Sequence, residues 1–191
     1  MEGTINKFNK GFTLLEVLVA ASIFAIVMTA ASGIFTSALH NQGRVLTEQM
    51  AISNSSYALE YMSRSMRMAV KDKSGDCLDD YLDGGTCNYA VSDDGSAIRF
   101  LNHDKKCVEF FEDGGQIKIK KSATTTDNFN GGHPFTSDEL NIKDLTFKLE
   151  GECQDDMLQP AVVIKIQAEI DDKTTFNTQT TVTQRNLDVP K

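Results

Sequence analysis

The sequence predicts an α+β protein, with one long N-terminal α-helix packed on a mostly antiparallel β-sheet. The helix is expected to be transmembrane at first and amphipathic further on. Three observations carry this. Phe12 to Leu39 is a 28-residue run whose one charge is Glu16. Ile52, Leu59, Met62, Met66 and Val70 recur at helical spacing, with Ser55 in the same stripe. Beyond Lys73 the pattern changes to short alternating segments separated by turns rich in Asp and Gly.

The apolar run exceeds the roughly 20 residues that span a bilayer. It contains no proline, and Lys7 and Lys10 precede it, which places the N-terminus in the cytoplasm and the rest of the chain outside. A cleaved secretory signal is the competing reading. Its apolar region is usually about 7–15 residues long and ends in a small-residue cleavage site. This run is longer, and Ala30-Ala31-Ser32 is a poor site. The helix is expected to continue through residues 40–71, with Gly33 and Gly43 as points where it could bend. Met62, Met66 and Met68 read as core filler.

Residues 72–191 are expected to form one β-rich extracytoplasmic domain. Asp76 to Asn88 reads as a polar loop. Tyr89–Val91 and Ala97–Leu101 flank the turn Asp93-Asp94-Gly95, and Cys107–Phe111 and Gln116–Lys120 flank Asp113-Gly114-Gly115. Lys118, Lys120 and Lys121 read as a wet strand face. Ser122 to Pro134 reads as a loop containing His133. Leu140–Ile142 and Leu145–Leu149 form a strand broken at Asp144. Val162, Ile164, Ile166, Ala168 and Ile170 alternate, Asp171-Asp172-Lys173 turns the chain, and Thr174–Gln184 is a threonine-rich strand.

A carboxylate deep in a bilayer costs roughly 2.5–3.5 kcal/mol on insertion scales, so Glu16 marks function with a partner. Lys10-Gly11-Phe12-Thr13-Leu14-Leu15-Glu16-Val17 resembles the signal of type IV pilins and of the pseudopilins of type II secretion. The resemblance covers about Lys7 to Leu39 and implies a pilin-like fold. It implies a leader of residues 1–11 that a prepilin peptidase removes after Gly11, with N-methylation of Phe12. Residues 12–39 then form the membrane and filament-core helix, and Glu16 meets the terminal amine of a neighbouring subunit. The implied partners are the peptidase, other pilins or pseudopilins, an inner-membrane platform protein and an assembly ATPase. The implied location is the cytoplasmic membrane, then a periplasmic or extracellular filament. The terminal Thr180-Thr181-Val182-Thr183-Gln184-Arg185-Asn186 resembles W-type minor pilins and J-type pseudopilins. The missing midway proline leans toward a minor subunit, and the retained Glu16 away from the extreme tip.

Cys77, Cys87, Cys107 and Cys153 all lie beyond the anchor, and an even count in an exported domain reads as disulfides. Of three connectivities, Cys77–Cys87 with Cys107–Cys153 is favoured, since the first closes the polar loop and the second ties two strands. His103 and Cys107 lack metal-site spacing. Asp76, Asp79, Asp80 and Asp83 cluster, but Tyr81 occupies a position where an EF-hand needs an oxygen ligand. No metal and no cofactor is expected.

No Walker A loop, HExxH or GxSxG occurs, and His40, His103 and His133 are scattered, so the chain reads as an enzyme's substrate and not as an enzyme. The formal charge is −8, near −9 without the leader, which opposes a nucleic-acid groove. The leading expectation is a structural minor pilin or pseudopilin. The rivals are a membrane-anchored ligand-binding ectodomain that never polymerises and a pilin-fold adhesin or DNA-uptake receptor.

Overall fold

A computed structural model describes residues 11–78, 87–122, 131–138, 140–151, 158–170 and 174–185. The chain divides into two compact units, Met1–Leu46 and Thr47–Lys191. In the first unit the described residues from Leu14 onward are helical, as the start of α1 (Leu14–Arg67). Its side chains are exposed almost throughout, and the chain stays α-helical through Gly33 and Gly43.

Among the described residues the second unit holds the rest of α1 and eight strands: β1 (Tyr89–Val91), β2 (Ala97–Leu101), β3 (Cys107–Asp113), β4 (Gln116–Lys121), β5 (His133–Pro134), β6 (Asn141–Glu150), β7 (Ala161–Ile170) and β8 (Thr174–Thr183). They form two sheets, ordered β1-β2-β3-β4-β5 and β6-β7-β8, and every pairing is antiparallel. The fold class is therefore the α+β one expected, with the strands divided between two sheets.

The hairpins sit where turn chemistry places them. Gly114 and Gly115 both have positive φ, 65° and 78°, so the β3–β4 connection is a two-residue turn of the kind that matches strand twist. The break in β6 is a register shift between Ile142 and Asp144. β7 buries Val162, Ile164, Ile166, Ala168 and Ile170 and turns the alternate residues outward. Asp171-Asp172-Lys173 lies outside the described residues. Pro134 falls in β5, at the edge of the five-stranded sheet, where a missing N–H breaks no ladder. His133 and Pro134 are thus strand and not loop, while residues 123–130 are not described.

The helix stripe has a different phase from the expected one. Ala51, Ser55, Ala58, Met62 and Met66 are buried, whereas Ile52 is 57% exposed. Small residues at 51, 55 and 58 let the backbone approach, and Ser55 donates its hydroxyl back to Ala51 O. Met62 and Met66 are core as expected, but Met68 is exposed and is not core filler. Val70 has left the helix: its N–H donates to Leu101 O, and it forms a bridge with that residue. Each buried methionine contributes about 1.5–3 kcal/mol by leaving water. An aromatic chain of Tyr89, Phe100, Phe110, Phe135 and Tyr61 links helix and sheet at centroid spacings of 5.6–6.1 Å.

A second, smaller core holds Cys77, Leu78, Cys87, Ala90, Leu101 and Cys107. Cys77 is bonded to Cys107 across a sequence separation of 30. That corrects both favoured pairings: Cys77 does not join Cys87, and Cys107 does not join Cys153. The physical reason is the Val70–Leu101 bridge, which pins the post-helix chain beside the β2–β3 pairing of Leu101 with Cys107. Cys87 is also disulfide-bonded, and Cys153 lies outside the described residues. The stretch expected as a polar loop, Asp76 to Asn88, is not purely polar surface, since Cys77, Leu78, Cys87 and Asn88 are buried. Asp72, itself buried, accepts from the N–H groups of Ser74, Gly75 and Cys77 and from the Ser74 hydroxyl. Asp76 is exposed, while Asp79, Asp80 and Asp83 lie outside the described residues.

The strand lysines are engaged, not simply wet. Lys118 pairs with Asp113, Lys121 donates to Tyr61 OH at 2.9 Å, and Lys120 reaches Glu109 at 3.2 Å. Glu109 also accepts two bonds from Arg99, at 2.9 and 2.7 Å, and both residues are buried. Arg99 extends further to Cys77 O at 3.4 Å.

Candidate functional site

The candidate site is the start of α1. Gly11, Phe12 and Thr13 precede the helix, and all three are exposed, with Phe12 at 83%. Thr13 caps the helix: its hydroxyl oxygen accepts the Glu16 N–H at 3.3 Å. Glu16 returns the bond, accepting the Thr13 N–H and the Thr13 hydroxyl, each at 3.4 Å. This is a reciprocal capping box, in which each side chain satisfies a backbone donor that the first helical turn leaves open. The negative charge also lies at the positive end of the helix dipole. Sequence reasoning treated Glu16 as a lone carboxylate awaiting a cation. The Thr-x-x-Glu spacing was the signal for its local partner.

From Leu14 on, the helix carries a window of mean hydropathy 2.3, none of it buried, long and apolar enough to cross a membrane. Four of its hydroxyls are satisfied within the helix. Ser22 donates to Leu18 O at 2.8 Å, Thr29 to Ala25 O at 2.9 Å, Ser32 to Met28 O at 2.8 Å and Thr36 to Ser32 O at 3.0 Å. Such back-bonding pairs these four hydroxyl donors without help from lipid or water. Leu14, Leu15, Val17, Leu18, Ile23 and Phe24 remain uncovered. The arrangement can anchor in a bilayer, and it offers a hydrocarbon surface to other helices.

The other residues singled out from sequence do not gather here. The described cysteines sit in the smaller core of the second unit. His40 lies on α1, His103 contacts Asp104 at 3.2 Å in a turn, and His133 is in β5.

The family model for the prokaryotic N-terminal methylation motif matches residues 6–32. No curated protein and no solved structure matches the chain. The matched stretch contains Gly11, Phe12, the Thr13–Glu16 capping box and most of the apolar run. The motif implies processing by a prepilin peptidase and assembly with other pilins, and with the apolar helix it fits anchoring in the inner membrane. Residues 6–32 thus carry the prokaryotic N-terminal methylation motif, the signal of type IV pilins and pseudopilins.

Proposed function

We propose that this chain is a minor pilin or pseudopilin subunit. It waits in the cytoplasmic membrane with its N-terminus inside. A prepilin peptidase cuts after Gly11 and methylates the new N-terminus at Phe12. An assembly ATPase, acting through a platform protein, then moves the subunit from lipid into a filament core, where helix–helix contacts replace lipid contacts. The observation that carries this reading is the methylation motif, which coincides with an exposed apolar helix that satisfies four of its hydroxyls internally. Glu16 is held only by 3.4 Å bonds at an exposed helix start. Those bonds are long enough to yield to the stronger charge-assisted bond that a neighbouring subunit's terminal ammonium offers. Such a contact fixes axial register more than it adds stability.

Intact mass and N-terminal sequencing of the protein from native membranes test this. The expected product begins at Phe12 and carries one added methyl group. A chain still beginning at Met1 in cells with an active prepilin peptidase would overturn the reading in favour of a non-polymerising anchored ectodomain. Glu16→Ala is expected to leave cleavage intact and to abolish incorporation into filaments.

A further inference from the structure

Among the described residues the second unit has four sheet edges and blunts three of them. β1 is three residues long, and β5 is two residues long and includes Pro134. β6 is ten residues long, but two hairpin turns interrupt its outer edge: Ile142 N–H donates to Gly115 O and Phe147 N–H to Gly95 O, each at 2.8 Å. β8 is the exception. Gln184 N–H donates to Pro160 O, which fixes the phase of the β7–β8 ladder. The even-numbered residues of β8 exchange bonds with β7, and Thr175, Asn177, Gln179, Thr181 and Thr183 turn their backbone N–H and C=O outward. None of these five N–H groups has an acceptor among the described residues. All five side chains are exposed. From Thr174 to Gln184 there is no charge, no proline and no bulge, the devices that usually keep an open edge from pairing.

We propose that the outer edge of β8 pairs with β8 of a second copy of this chain, antiparallel and centred on Gln179. Two features favour a second copy over a foreign strand. The first is charge. The chain carries −8, so most self-contacts oppose carboxylates, whereas this one opposes Thr175 to Thr183 and Asn177 to Thr181, all small, polar and uncharged. The second is closure. Pairing two β8 strands makes one sheet whose two ends are both β6, each interrupted at Ile142 and Phe147 by the hairpin turns, so no uninterrupted edge is left among the described residues and growth stops at a twofold dimer. A foreign strand would present a new edge of its own. One strand pair is a small contact, so it depends on both copies being tethered in one membrane, which raises their effective concentration. It requires neither cleavage at Gly11 nor filament assembly, and so goes beyond the function proposed above.

The test uses the full chain with Gln179→Cys in native membranes and a short bis-maleimide cross-linker. The expected product is a homodimer. Thr181→Pro removes an outward N–H without touching the bonds to β7, and is expected to reduce cross-linking to background while the domain stays protease-resistant. Should that variant fail to fold, Asn177→Lys with Thr181→Lys opposes like charges across the pair and is expected to give the same loss. Asn177→Lys with Thr181→Glu opposes unlike charges and is expected to keep the product. Absence of the homodimer, a product containing a different protein, or a homodimer indifferent to all these changes would overturn the proposal. A homodimer that persists when Gly11→Val blocks processing supports it. One that vanishes in that variant would assign the contact to filament assembly, and the proposal would fail even with the pilin reading intact.

Discussion

Arg99 and Glu109 face each other across β2 and β3 with side chains only 10% and 5% exposed. Two charges so far from water are tolerable only while each has its partner. Arg99→Met leaves Glu109 with Lys120 at 3.2 Å as its remaining ion-pair partner among the described residues. Glu109→Leu removes the carboxylate that accepts two bonds from the guanidinium, and keeps the longer bond to the Cys77 carbonyl at 3.4 Å. Breaking a buried pair from either side costs about 3–5 kcal/mol, so each single change is expected to destabilise the domain by that amount, with Arg99→Met at the lower end because Lys120 stays. Replacing both together removes the desolvation burden with the attraction, and is expected to cost no more than about 1 kcal/mol. The assay is urea unfolding of the full chain in detergent, read by tyrosine fluorescence, over the complete double-mutant cycle. A double variant that loses the sum of the two single losses would refute the argument. It would mean that the two residues act through separate contacts and not as a neutralised pair.

Four further outcomes are expected. Asp94 is held down to about 2, from an ordinary 3.8, first by the Ser92 hydroxyl and then by the Ser96 N–H and hydroxyl. Its folded value is depressed, so its stabilising effect on the β1–β2 turn is present above pH 3.8 and lost as pH falls through about 2, and carboxyl NMR titration should show a Ser92→Ala variant titrating higher. Met62→Ala empties a fully buried site and should cost about 2–5 kcal/mol, whereas Ile52→Ala should stay within about 0.5 kcal/mol, both read by thermal unfolding. Gly115→Ala combines φ 78° with a Cβ 2.6 Å from Asn141 Oδ1, and should lower the melting midpoint well below that of Gly114→Ala, which meets nothing within 4 Å. Non-reducing peptide mapping should recover Cys77 joined to Cys107, and the double Cys→Ser variant should lose about 3.5 kcal/mol, the chain-entropy value for the separation of 30.

What the sequence made legible was local. Glycine at 114 and 115 dictates a tight turn, alternation from 162 to 170 dictates one buried face, and Asp144 interrupts a strand where the ladder shifts. The methylation motif was equally plain, because a glycine, a phenylalanine and a glutamate at fixed spacing border an uncharged helix. What stayed hidden depends on which elements meet. Helical spacing names a stripe but not its rotation, and Ala51 and Ala58, too small to register as apolar anchors, turn inward while Ile52 turns out. Cysteine pairing follows from the Val70–Leu101 bridge, a contact between distant residues that no local pattern announces. Arg99 and Glu109 look like surface charges until β2 and β3 are placed in register beneath the loop after the helix. Thr13 stayed hidden for a different reason: a carboxylate bordering an apolar run points to a distant cation, whereas its partner here is the residue three positions earlier.

The end of β8 is fastened to the end of the helix. Arg185 N–H bonds to Arg67 O at 2.9 Å, and the Gln184 side-chain amide bonds to Ala69 O at 2.8 Å. In mechanical terms these two bonds form a shortcut. Tension entering along the last turn of α1 passes directly to the final strand, bypassing the intervening hairpins, and is shared there with the ten-residue β7–β8 ladder. A pull on the helix therefore loads a long ladder of hydrogen bonds together, instead of peeling the small β1–β5 sheet from its edge.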